Sequence, residues 1–367
     1  MMQLCERCPG RSALREHLSG VFSNNDIDLD DSINYKQRIH TDRTALVHLQ
    51  LSLEEFLDIF CDKFDSLRQH HFVAKSQSAH LRSRKETLQE HTAIVLLDFA
   101  ENYSFLVQDA IQGFYWDNSQ AVLHPFAIYY IKEDELKCMS VCIISDCMKH
   151  DTTAVHAFIT RVISHLKEEL PSITKVVYFS NGAASQYKNY KNFSNLCHHQ
   201  VDHGLVAEWN FFATIHGKNP CDGVGGTTKR LVARASLQAT EKDQILTPLQ
   251  MFTWANENID GIKFFFVSDD DVQRNANMYQ LEKRYSLSKT VSGTRSHHCF
   301  VPISEGSLEM RRLSADDVCS TVLLGKNQES SIPNKSLPDS DDFQPGKYNA
   351  CMFDQEWYTG NVVECSE

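Results

Sequence analysis

Three short apolar runs, each breaking directly into polar residues, constrain the fold of this chain more than any other feature. They are Ala93-Ile94-Val95-Leu96-Leu97-Asp98-Phe99, Val176-Val177-Tyr178-Phe179-Ser180-Asn181-Gly182, and residues 207–213, with His216-Gly217-Lys218 and Asp222 beyond. A continuous apolar run of this length reads as a strand covered on both faces, because a solvated face would show alternation. Between the first two runs lies a helical stripe: Asp151 precedes Val155, Phe158, Ile159, Val162, Ile163, Leu166 and Leu170, and Pro171 ends it. Strands that alternate with amphipathic helices predict an α/β protein, a mixed sheet with helices on its faces.

Along the chain, residues 1–50 read as a polar, irregular, Cys-containing segment, and 51–91 as a helical region uninterrupted by Pro or Gly between Ser52 and His91. Strands follow at 93–99, 104–115 and 122–131, with Asp117-Asn118-Ser119 as a turn, and 136–144 extends the sheet. After the helix capped by Asp151 come strand 175–179, helix 183–197, strand 205–213 and helix 223–237, which closes a core at 92–240. Three antiparallel strands, then helix, strand, helix, strand, helix, is the order of the ribonuclease H fold; it is also a general α/β arrangement. Residues 241–324 extend the core with helix 249–258 and strand 262–267 at its edge. Residues 325–342 are a Ser, Asn, Pro and Asp-rich linker. In the last segment, 343–367, two alternating strands around Asp354-Gln355 resemble the first hairpin of a small SH3-like or Tudor-like barrel, too little to stand alone.

The chain has 367 residues, 42% of them hydrophobic and 10% aromatic, so it can bury a sizeable core. No secretory leader opens it and its 12 cysteines are scattered, which predicts reduced thiols and an intracellular protein. No apolar run approaches the roughly 18 residues that cross a bilayer, so no membrane partner is expected. A formal net charge of -12 works against nucleic-acid binding. The window 181–236 departs from that balance, with Lys188, Lys191, Lys218, Lys229, Arg230 and Arg234 against Asp202, Glu208 and Asp222. Those six cations are the candidate DNA contacts, with a plain solvated surface as the alternative.

Asp98, Asn181 and Asp222 stand where strand ends and a helix start can converge. Phosphodiester cleavage by two metal ions uses carboxylates at such positions to hold Mg²⁺ or Mn²⁺ about 3.5–4 Å apart. Each acid alone also suits a turn or a helix cap. The blocks Leu97-Asp98-Phe99-Ala100-Glu101-Asn102-Tyr103, Phe179-Ser180-Asn181-Gly182-Ala183-Ala184-Ser185-Gln186-Tyr187-Lys188-Asn189 and His216-Gly217-Lys218-Asn219-Pro220-Cys221-Asp222-Gly223-Val224-Gly225-Gly226 resemble blocks of transposon-derived proteins of animal genomes. Those proteins are related to DDE transposases of the ribonuclease H-like superfamily, and the resemblance spans about residues 90–300. It implies catalytic positions at Asp98, 181 and Asp222, metal held by Asp98 and Asp222, a DNA partner and a nuclear location.

The chain departs from that pattern at 181, where an amide replaces the acid and removes a charge that would offset two dications. Glu101, Asp109 and Asp146 are the substitute acids available, each with a structural alternative. The pair Asn181-Gly182 is also prone to deamidation, and peptide mapping that finds only amide at 181 would exclude a restored acid. The resemblance further implies a zinc site between the second and third acids, for which Cys197, His203, His216 and Cys221 are candidates; His198 and His199 read as helix-end residues. Cys5 and Cys8, with His17, make a lone C-x-x-C that could be half of a zinc knuckle in a longer Cys-rich protein. Gly223 to Gly226 do not make a nucleotide-hydrolysing phosphate loop, because Gly217-Lys218 precedes the glycines. They suit either a phosphate cradle or close helix packing. The resulting expectation is a transposase-derived, DNA-binding protein with a degenerate two-metal site. The alternatives are an active nuclease with a substitute acid, or a protein-interaction scaffold. The oligomeric state is not legible.

Overall fold

The computed structural model describes residues 10–40, 42–106, 119–213, 220–240 and 243–325, and the backbone of 348–353 and 356–361. It divides into two units, Met1–Leu324 and Gly325–Glu367. The first begins with α1 (Arg11–Ser23), the antiparallel hairpin of β1 (Ser32–His40) and β2 (Thr44–Ser52), and the long helix α2 (Leu53–Glu86). The segment expected to be irregular therefore contains a helix and two nine-residue strands. Their signal is muted because Ile33, Tyr35, Gln37 and Ile39 are only half-buried and every intervening residue of β1 is exposed. Helix α2 starts where Ser52 Oγ accepts from the Glu55 amide and the Glu55 carboxylate accepts from the Ser52 amide, a reciprocal cap.

The second half of α2 lies on a sheet. Gln77, fully buried, donates through Nε2 to the Phe211 carbonyl (2.9 Å) and to Ser314 Oγ (2.7 Å), and its Oε1 accepts from the Ser314 amide at 3.0 Å. Farther along, Arg84 pairs with Glu208 at 3.0 Å, and Glu208 also takes Lys175 at 2.6 Å.

The sheet contains, in chain order, β3 (Thr92–Leu97), β4 (Tyr103–Ser104), β5 (Gln120–Lys132), β6 (Glu135–Ser145), β7 (Lys175–Ser180), β8 (Val206–Phe211), β9 (Ile262–Phe266), β10 (Cys299–Ser304), β11 (Ser307–Arg311) and β12 (Ser320–Leu323). Its order is β12-β11-β10-β8-β7-β3-β5-β6-β9, with β4 paired to β5. Strands β3, β7 and β8 are mutually parallel, β5 is antiparallel to both β3 and β6, and β9 is parallel to β6. The C-terminal ends of β3, β6, β7, β8 and β9 therefore share one edge. Helices α3 (Thr152–Glu169), α4 (Tyr190–His203), α5 (Pro220–Gln238), α6 (Pro248–Asn258), α7 (Asp269–Met278) and α8 (Leu281–Ser286) complete the unit.

Alternation along the strands divides the core by face. Ala93, Val95 and Leu97 join Val176, Tyr178, Trp209 and the inner residues of α3 and α4 in one cluster. Ile94 and Leu96 point the other way, with Val177, Phe179 and Cys221, while Leu123, Cys142 and Ile144 on that side meet α5 and α6. Both faces are dry, which is why these strands read as unbroken apolar runs.

One expected strand is described only in part, and one helix boundary needs correction. Strand β6 pairs antiparallel with β5; of the expected strand 104–115 only 104–106 are described, where Ser104 pairs with Gln120, and 107–118, with most of the expected turn and Asp109, lie outside the described residues. Strands β5 and β6 form one long hairpin around Glu133 and Asp134, both at positive φ, as a tight two-residue turn requires. Helix α4 begins after Asn189, whose side chain accepts from the Asn192 amide, and not at 183; the preceding residues turn back through Tyr187 N–H to the Ala183 carbonyl at 2.9 Å. It stops at Gly204, which adopts φ 72°. In the second unit, β13 (Tyr348–Phe353) and β14 (Glu356–Asn361) form an antiparallel hairpin; the expected linker lies outside the described residues. No helix among the described residues is long and apolar enough to cross a membrane.

Candidate active site

The shared edge brings together the first two of the three singled-out positions by direct contact. Asp98 follows β3 and Asn181 follows β7, its parallel neighbour, and Asn181 Nδ2 donates to Asp98 Oδ1 at 2.6 Å. The other end of the same amide is also used, since Asn181 Oδ1 accepts from the Ala183 amide at 2.9 Å. The side chain is therefore held in one orientation from both ends.

Asp222 is in the first turn of α5, where a negative charge suits the helix dipole. Cys221 beside it is buried, with Sγ 3.5 Å from the Leu96 carbonyl near the end of β3. Asp98 is pushed up to about 6, chiefly by burial and further by the charge of Asp222, against the opposing bonds from Asn181 and the Phe99 amide. Asp98, Asn181 and Asp222 thus share one electrostatic environment.

Gly225 explains how α5 reaches this place. A Cβ there would stand 3.0 Å from Ala100 Cβ and 3.3 Å from Pro125 Cγ, so the helix rests by bare backbone on the segment that follows Asp98. At Gly225 the close helix packing, and not the phosphate cradle, is what the structure shows. The helix begins at Pro220, which puts Gly225 beyond the first four residues whose amides lack an intrahelical partner.

Beneath Asp98 is an aromatic nest that sequence reasoning missed. Tyr187 and His124 are fully buried and bonded, hydroxyl to Nε2, at 2.8 Å. Phe99 meets the His124 ring edge-on at 4.4 Å and stacks on His150 at 4.5 Å. Burial pushes His124 down to about 3, so its imidazole is neutral, while burial and the charge of Asp98 lift Tyr187 well above the ordinary phenol range. Buried His124 Nδ1 and His150 Nε2 have no hydrogen-bond partner among the described residues. The available signal was His124 itself, a polar residue inside the apolar run of β5.

Of the substitute acids, Asp146 caps α7 by accepting from the Asp269 amide at 2.7 Å, and Glu101 is exposed. The five described candidate cations do not form one patch. Lys188 is tucked in, its Nζ 3.5 Å from the Arg295 carbonyl and 5.1 Å from the centre of the Phe211 ring, and burial pushes it down to about 8. Lys191 lies at the start of α4 over the Tyr285 ring at 5.4 Å. Across the sheet, Lys229 donates to the Glu101 carbonyl at 3.3 Å, and Arg230 and Arg234 are exposed on α5. Lys218 lies outside the described residues.

The four zinc candidates do not meet as one site. Cys197 is buried with α4 on one face of the sheet and Cys221 with α5 on the other, and His216 is outside the described residues. His199 is not a loose helix-end residue: it is buried, with Nδ1 on the Leu205 carbonyl (2.7 Å) and Nε2 on the Tyr178 hydroxyl (2.8 Å). Cys5 and Cys8 also fall outside the described residues, while His17 is on α1.

Residues 77–314 match the model of a family described as a domain of unknown function (DUF8701), and the chain belongs to that family. Residues 1–68 match a second model, also described as a domain of unknown function (DUF8700). No curated protein matches. One similar solved structure is described as the crystal structure of NurA bound to dAMP and manganese; it is 12% identical, the match covering 57% of this chain and 46% of that one, at a TM-score of 0.13. The chain thus spans under half the length of that protein, and a likeness this slight carries no argument about fold or function.

Proposed function

We propose that this chain is a transposase-derived, DNA-binding protein on a ribonuclease H-like core, in which the two-metal site has degenerated and strand cleavage is weak or lost. The strand order supports the core assignment: antiparallel β6-β5-β3 continues into parallel β7 and β8, with a helix after each of the last three strands in sequence. The observation that carries the reading is the bond from Asn181 to Asp98, whose carboxyl also feels the charge of Asp222.

This donor set does not fit a pair of dications. Two carboxylates remain where three would share the charge, and an amide N–H occupies one lone pair of Asp98. Were an ion bound, Asp98 and Asp222 would hold it and Mg²⁺ or Mn²⁺ would supply Lewis acidity. Binding without cleavage would instead use the exposed cations of α5, Arg230 and Arg234, which stand on the same helix as Asp222.

The test has two arms. Binding of labelled duplex DNA by the purified protein is measured against salt, where phosphate contacts give a steep negative slope of log affinity on log salt. Arg230→Ala with Arg234→Ala is expected to flatten that slope by about two units. Mn²⁺-dependent nicking is expected to be absent or slow in the native protein and faster in Asn181→Asp. A flat salt dependence would leave the protein-interaction scaffold as the better reading; native nicking abolished by Asp98→Ala would establish an active nuclease.

A further inference from the structure

Opposite α5, the helices α3, α4 and α7 enclose a polar cluster that the Asp98 pocket does not use. His156 of α3 and Asp202 and His203 of α4 each present one ligand atom, and these atoms lie within 4.8 Å of one another. His156 is 4% exposed and His203 8%.

The hydrogen bonds around the cluster leave lone pairs aimed inward. His156 Nδ1 is 2.7 Å from Asn275 Oδ1, and an amide oxygen only accepts, so Nδ1 carries a proton. With one proton on the ring, Nε2 then presents a lone pair 3.3 Å from Asp202 Oδ2. Two acceptors at that distance need a positive species between them or a proton on the ring. Neither ring nitrogen of His203 has a hydrogen-bond partner among the described residues, although its carbonyl accepts from Lys167 at 3.1 Å. The His203 ring is held by packing on the His199 ring at 4.8 Å and the Tyr279 ring at 5.9 Å, which leaves its nitrogens open to a ligand.

The surroundings are those of ligands held by outer partners. Asn275 fixes the His156 tautomer. Arg284 grips Asp202 through both oxygens at 2.7 and 2.8 Å, which orients the carboxylate and leaves each oxygen a further lone pair. The neighbouring His199 is excluded, since both of its ring nitrogens are already bonded.

We propose that His156, Asp202 and His203 bind one divalent transition-metal ion, with zinc the best match, and that the ion staples α3 to α4. Two imidazoles and a carboxylate are ligands that zinc accepts with water completing a tetrahedron. Zinc bonds of about 2.0–2.1 Å set tetrahedral ligand atoms ~3.3 Å apart, so side-chain rotation must draw the three groups in by about 1 Å or more. The guanidinium of Arg284 keeps the affinity below that of a site without a neighbouring cation.

The full chain, stripped with a chelator, is titrated with Zn²⁺ in competition with a chromophoric chelator, and separately with Co²⁺. The expected result is one ion per chain in the native protein and in Asp98→Asn. Affinity is expected to fall at least ~100-fold in His203→Gln and about tenfold in Asn275→Ala. Co²⁺ is expected to give visible absorption without a thiolate charge-transfer band, and Zn²⁺ to raise the melting temperature by several degrees. No competition by the native protein overturns the proposal. So does stoichiometric binding undiminished in His203→Gln, or a thiolate band, which would assign the ion to cysteine. If His203→Gln fails to fold, the native Co²⁺ spectrum and stoichiometry decide alone.

Discussion

At the residue scale, the amide of Asn181 does for Asp98 what a cation would otherwise do: it places positive hydrogens against a carboxylate that burial disfavours. Asn181→Asp would put a carboxylate oxygen where Nδ2 now lies, 2.6 Å from Asp98. The expected cost at neutral pH without metal is about 1–3 kcal/mol, the penalty of a lost bond at a half-buried acid. Millimolar Mn²⁺ should recover it, and melting curves with and without the ion check this. Asp98 also sets a pH dependence. Its carboxyl titrates near 6 in the fold and near 3.8 unfolded, so the folded chain binds the proton more tightly. Stability is therefore lost as pH rises from about 4 through 6, by up to ~3 kcal/mol. Asp98→Asn is expected to remove that step and to be the more stable protein at pH 7.5, as denaturant unfolding at pH 4.5 and 7.5 would read.

At the element scale, the three glycines of α5 should behave differently although a helix alone would treat them alike. Nothing lies within 4 Å of a Cβ at Gly223 or Gly226, and Ala at either is expected to stabilise by about 0.5–1 kcal/mol. Gly225→Ala would press on Ala100 and Pro125, neither of which can swing aside, and is expected to cost a net ~1–2 kcal/mol once overpacking is set against helix propensity. Denaturant midpoints for the three variants test the contrast. The sequence made β3, β7, β8 and α3 legible because burial on both faces and a capped stripe leave strong local patterns. It did not reveal β1 and β2, whose exposed faces mix polar residues, or the pairing of β10 to β12, which depends on partners distant in sequence. The meeting of Asp98 with Asn181 was legible from strand ends. The Tyr187–His124 pair and the His156, Asp202 and His203 cluster were not, because each depends on packing between separate elements.

At the scale of the whole molecule, the two faces of the sheet separate two kinds of chemistry: α5 carries Asp222 and the exposed arginines, and α3 with α4 carries the buried histidines. The fastening of α2 spans more of the unit than any other polar contact described. Gln77 joins it to the end of β8 and to Ser314, with its amide oxygen and nitrogen both engaged. Gln77→Leu would strand the Ser314 amide, while the Phe211 carbonyl keeps His298 Nδ1 at 3.1 Å, and is expected to cost about 1–3 kcal/mol in denaturant unfolding. An equal loss in Ser314→Ala is not expected, since that residue's amide would still reach Gln77.

The fixed point at Gln77 divides a 34-residue helix unequally. About 24 residues, or ~36 Å at 1.5 Å each, extend from it towards the hairpin of β1 and β2. A tilt of about 5° at the fixed point would sweep the far tip by ~3 Å. Anything that seizes the amino-terminal hairpin therefore gains leverage on the strand edge beside Asn181, and the molecule has a handle as well as a pocket.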